Sequence, residues 1–172
     1  MKNLTKLLAI CKIATIIAFA AAIAFSFVAC ATSTASGGEV DSSLNGTWVN
    51  QAGERWVFYN GSFTTIIDNV ESVIGTYTTR GNRLTITISQ VRGSAYGSNA
   101  ATIGISASQW YTKSQVRTVI IDYGISQGLS RSQAAGVADT ALRENSFYDP
   151  MRGTYSVSGN TLTIDGAILT RV

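Results

Sequence analysis

Two cysteines, no histidine and ten scattered carboxylates are all this chain offers to covalent or acid–base chemistry. Without histidine it lacks the commonest metal ligand and the usual general base near neutral pH, so neither a Ser–His nor a Cys–His nucleophile can be assembled. Asp68 and Glu71 fall beside a turn, and Asp139 and Glu144 fall on a predicted helix. None has metal-ligand spacing and the EF-hand pattern is absent, so surface solvation accounts for them. No catalytic residue, metal or other cofactor is therefore expected, and the chain does not read as an enzyme. One cysteine stands apart by its position. Lys2, Lys6 and Lys12 charge the N-terminus, Ile13 to Val28 carry no charge, and small residues bring the run to Cys30 in Phe27-Val28-Ala29-Cys30. That is the order of an export signal.

A cysteine at this point resembles the lipobox of bacterial lipoproteins, with Phe27 where a leucine is usual. The resemblance implies cleavage before Cys30, lipidation of Cys30 by acyl chains such as palmitate, and a protein held on a membrane of the bacterial cell envelope. Ala31 is not the aspartate that retains some lipoproteins at the inner membrane, which permits sorting to the outer membrane or cell surface. The alternative is an uncleaved anchor, since Ile13 to Ala31 is 19 residues long and a helix needs about 20 to cross a bilayer. Both readings place the remainder outside the cytoplasm. The expected organisation is a signal peptide over 1–29, a flexible tether over 30–43 and one domain over 44–172.

The formal charge of +3 belongs to the signal. Beyond residue 29 there are ten basic and ten acidic side chains, so the electrostatic footprint of a nucleic-acid protein is missing. Cys11 lies in the signal and Cys30 would carry lipid, which leaves no pair for a disulfide.

An internal repeat organises the domain. Gly75-Thr76-Tyr77-Thr78-Thr79-Arg80-Gly81-Asn82-Arg83-Leu84-Thr85-Ile86 matches residues 153–164 at eight of twelve positions. Each copy reads as a hairpin with a two-residue Gly-Asn loop, glycine supplying the positive φ. The loop predicts that Tyr77 faces Ile86, Tyr155 faces Ile164 and Val157 faces Leu162, giving one apolar and one hydroxyl face. A third hairpin turns at Asn60-Gly61, with Trp56 and Phe58 on one face opposite Thr65 and Phe63. Eight strands are expected, near 45–50, 54–59, 62–68, 73–79, 83–92, 153–158, 161–165 and 167–172. Between the fifth and sixth, 93–107 is small and polar and reads as a loop or irregular strand. Capping boxes at Thr112 to Gln115 and Ser130 to Gln133 then open two short helices, Gly124 closing the first and Pro150 following the second.

The fold class expected is mainly β: an up-and-down antiparallel barrel of about eight strands with a two-helix insertion between strands five and six, near 93–150. Leu44-Asn45-Gly46-Thr47-Trp48 looks like the Gly-x-Trp opening of lipocalin-like (calycin) proteins, and the Gly-Thr-Tyr hairpins are similar to those of bacterial lipocalin-like lipoproteins. The resemblance implies that Trp48 plugs one barrel end and that Arg171 stacks over it. It departs from the family in the place of its helices.

Trp56, Phe58, Tyr77 and Tyr155 are the candidates to line a ligand cavity, the competing reading being plain core. Trp110-Tyr111 reads either as a partner surface or as a staple for the first helix. Two functions follow. A lipid-anchored barrel could bind a small apolar or amphipathic ligand. Alternatively, a packed barrel could present the insert, 58 of the 143 residues after the signal, to a protein or envelope polymer. Neither involves nucleic acid.

Overall fold

The computed structural model describes residues 38–172; the expected signal peptide, Cys30 and the first part of the expected tether lie outside the described residues. Two compact units emerge, one of residues 90–148 and one that comprises 38–89 and 149–172 among the described residues.

The second unit is an antiparallel barrel of β1 (Gly46–Val49), β2 (Arg55–Tyr59), β3 (Ser62–Ile67), β4 (Val70–Arg80), β5 (Arg83–Arg92), then β7 (Met151–Ser158), β8 (Thr161–Ile164) and β9 (Ala167–Arg171), where β6 (Trp110–Tyr111) belongs to the other unit. β1 pairs with β2 and β9, and the pairing of β4 with β5 closes the eight strands. Each barrel strand therefore neighbours the next one along the chain, and no edge is left open. Two-residue turns explain the register. Gly81 and Gly159 take φ of +58° and +56°, and the second hairpin pairs Tyr155 with Ile164 and Val157 with Leu162, as its loop predicts. Asn60 and Gly61 both have positive φ, and Trp56 pairs with Thr65 and Phe58 with Phe63.

Most strand bounds fall within one or two residues of expectation, and three details of the sheet differ more. β4 begins at Val70 rather than 73, because Asp68 and Asn69 both adopt positive φ and make a further two-residue turn. Ser72 bulges out where the β3–β4 register shifts after Thr65. Two residues of β6 add to Arg92 and Val91, so the helices fall between β6 and β7. A strand that short leaves no periodicity to read.

The 90–148 unit packs α1 (Lys113–Ser126) against α2 (Arg131–Asn145). Both expected capping boxes are formed, at Thr112 with Gln115 and at Ser130 with Gln133. The loop or irregular strand expected at 93–107 is largely 3-10 helix, Gly93–Tyr96 and Ser98–Ile103, and it buries Tyr96, Ala100, Ile103 and Ile105. Gly124 does not end α1. It sits inside the helix and is buried, and a Cβ there would stand 2.9 Å from the Cβ of Ala134. Its purpose is close approach between helices, and Gly128, with φ of +86°, follows the real end.

Candidate functional site

The inward row of the barrel is where a ligand would sit. Trp56, Phe58, Tyr77 and Tyr155 all point into it and are all buried. Their rings touch. Trp56 meets Phe63 edge-on at 5.6 Å, Phe63 meets Phe58 at 5.1 Å, and Phe58 meets Tyr77 edge-on at 5.0 Å. Leu84, Ile86, Leu162, Ile164 and Leu169 fill the rest, each at most 2% exposed. Side chains therefore occupy the row along its length, as in a close-packed interior. One polar atom is left over: Thr65 Oγ1 is buried without a partner.

At one end of the row Trp48 is wholly buried and its Nε1–H donates to the Leu44 carbonyl at 2.7 Å. Arg171, its register partner on β9, lays its guanidinium 4.3 Å from the Trp48 ring centroid and donates from Nη2 to the Ser43 carbonyl at 2.7 Å. The cation rests on the ring's negative face.

Residues 38–45, partly read from sequence as tether, lie across this same end and hold its hydroxyls. Glu39 forms a β-bridge with Thr79; the Thr79 hydroxyl donates to the Glu39 carbonyl at 2.9 Å and accepts from the Asp41 N–H at 3.1 Å. Tyr155 donates to the Asp41 carboxylate at 2.7 Å. Tyr77 donates to Asn45 Oδ1 at 3.0 Å, and Asn45 also exchanges hydrogen bonds with Asn60 at the β2–β3 turn. The Tyr155 hydrogen bond, helped by those from Ser43, holds the Asp41 carboxyl below its ordinary range. Burial, and then the bond to Asp41, push Tyr155 up to about 12; burial also raises Tyr77. Sequence reasoning missed Asp41, Asn45 and Thr79. The available signal was Thr79, a hydroxyl on the hairpin's otherwise apolar face.

The 90–148 unit carries its own polar centre. Tyr148 donates to the Tyr111 carbonyl at 2.6 Å and so must accept from Tyr96, 2.5 Å away. Burial pushes Tyr148 up to about 12 and raises Tyr96 further. These rings flank a cavity of ≈ 10 Å³ with Ile103, Val116, Ile120 and Leu142, about the volume needed for one water. Trp110 is half-buried beneath Arg92, 5.8 Å from its ring centroid, while Tyr111 is buried and accepts from the Ser106 N–H. Of the four carboxylates considered from sequence, Asp139 pairs with Arg117 at 2.6 Å; Asp68, Glu71 and Glu144 are exposed. No three metal-ligating side chains cluster among the described residues, and no described helix is long and apolar enough to cross a membrane.

Comparison with protein-family models, with curated proteins and with solved structures gave no match.

Proposed function

We propose that this chain is an exported, lipid-anchored protein of the bacterial envelope, without catalytic activity, in which a lipocalin-like barrel is a packed scaffold and the 93–150 insert contacts another protein or an envelope polymer. The observation that carries the scaffold reading is the inward row itself, whose aromatic rings meet at 5.0 to 5.6 Å. Ligand pockets begin at about 300 Å³, and a cavity of ≈ 10 Å³ in the 90–148 unit is far below that. The anchor rests on the order of charge, apolar run and Cys30. On the insert, Ile125 of α1 is exposed, and five basic side chains face three acidic ones in the composition of 90–148. The ligand-binding reading keeps one observation in its favour, the unpartnered Thr65 hydroxyl on the inward row.

The test is site-specific photocrosslinking in the producing cell, from Ile125 on α1 and from Thr85 on the outer face of β5. Adducts from Ile125 and none from Thr85 are expected. Their absence from Ile125 overturns the contact surface. A stoichiometric amphiphile released when the purified full chain is denatured overturns the packed scaffold.

A further inference from the structure

The barrel end covered by residues 38–45 carries a surface that its interior does not explain. Arg80 and Arg83 flank the two-residue turn Gly81-Asn82, so the hairpin sets them directly opposite one another. Both are exposed, and neither has an acidic partner among the described residues. Like charges in facing positions destabilise a strand pair. Two large apolar side chains are exposed at the same end, Tyr59 at 65% and Val40 at 43%. Val40 leans over the β2–β3 turn, 3.3 Å from where a Cβ on Gly61 would stand. The acids nearby are Glu39, held by its backbone beside Thr79 with its side chain exposed, and Asp41, whose carboxylate is taken by Tyr155 and the Ser43 N–H; together they leave the rim's two guanidiniums without an ion pair among the described residues.

The chain enters the barrel at this corner. A Cβ on Gly38 would stand 2.5 Å from the Cβ of Thr78, two residues before Arg80. Eight residue steps separate Gly38 from Cys30, a reach of at most about 29 Å when extended. An acyl group on Cys30 therefore keeps this rim close to a bilayer. An aromatic with a polar tip, an aliphatic and two unpaired guanidiniums are the side chains that suit the headgroup layer.

We propose that this rim is a membrane-docking face: Tyr59 and Val40 enter the headgroup layer, and Arg80 and Arg83 pair with the phosphates of anionic phospholipids. The proximity rests on the anchored reading above; the surface does not. Docking in this way turns the opposite barrel end, where the chain leaves at Ser89 and returns at Asp149, away from the lipid.

The full-length chain, taken from the membrane fraction, is reconstituted into vesicles of phosphatidylcholine alone or mixed with phosphatidylglycerol. Arginines are modified with phenylglyoxal and the adducts read by peptide mass spectrometry. Arg80 and Arg83 are expected to react about fivefold more slowly on the anionic vesicles, with the difference lost at high salt. Arg55, exposed at the far end of β2, is expected to react equally on both. Equal protection of Arg55, no slowing of the pair, or the same slowing on neutral vesicles overturns the proposal. The N-terminal peptide in the same digest separates the two readings. Acylated Cys30 with unprotected arginines sinks the docking face alone, whereas bare Cys30 with protected arginines sinks the anchor alone.

Discussion

Tyr148 is a donor and an acceptor at once, and that asymmetry makes its hydroxyl worth more than its neighbour's. Removing it strips Tyr96 of its acceptor and the Tyr111 carbonyl of its donor. A buried polar group left unpaired costs about 1–3 kcal/mol, more than the loss of a typical net hydrogen bond at about 1 kcal/mol. Tyr148→Phe is thus expected to destabilise by about 2 kcal/mol and Tyr96→Phe by about 1, since the latter leaves Tyr148 still bonded to Tyr111. Urea unfolding of the two variants checks the order; equal losses contradict it. Asp41 makes a pH-dependent contribution of the opposite kind. Its carboxyl pKa is depressed in the fold, so the stability it adds is present above the unfolded value near 3.9 and fades as pH falls through the folded one. Asp41→Asn should therefore be less stable than the parent near neutrality, the gap closing as the solution is acidified below about pH 4. A gap of constant size would assign the loss to geometry instead of charge. Neither group was legible beforehand, because the partners lie 37 and 114 residues away in the chain and no local pattern brings them together.

At the scale of elements, local chemistry was readable wherever one or two residues dictate geometry. Gly-Asn and Asn-Gly turns set the strand register, and Ser or Thr three residues before Gln set both helix starts. Legibility failed where packing overrides the local signal. Gly124 resembles a helix stop, yet its missing Cβ admits Ala134 of α2. Gly136 lies in α2 with open space where a Cβ would go. The two glycines therefore predict opposite outcomes for one substitution. Gly136→Ala gains helix propensity unopposed and should stabilise by about 0.5–1 kcal/mol. Gly124→Ala meets the same gain with overpacking that costs about 1–3 kcal/mol, so it should destabilise, and Ala134→Gly in the same chain should recover part of the loss. Thermal melts of the three variants decide it. A stabilising Gly124→Ala would return that residue to the role of a simple stop.

Across the whole molecule, the 90–148 unit interrupts the chain of the barrel between β5 and β7. β5 and β7 are paired neighbours, with Ile86 opposite Met151 and Arg83 opposite Thr154. Ser89 lies three residues after Ile86 and Asp149 two before Met151, on either side of the 90–148 unit, and adjacent antiparallel strands are commonly joined by hairpin loops of 2–5 residues. The inward-row residues named above, from Trp48 to Leu169, all fall within 38–89 and 149–172. The unit at 90–148 meanwhile has its own buried residues, from Tyr96 and Ile103 to Ala138 and Leu142, and its own capped helices. Replacing 90–148 by a short Gly-rich turn should consequently leave a protein that retains β-type circular dichroism and a single cooperative melt. If the packed-scaffold reading holds, the same protein should lose the crosslinked partner while keeping its place on the membrane, because residues 38–45, Tyr59, Arg80 and Arg83 are all retained. A shortened chain that fails to melt cooperatively would mean that the barrel depends on the insert, and the division into scaffold and contact surface would then have no physical basis.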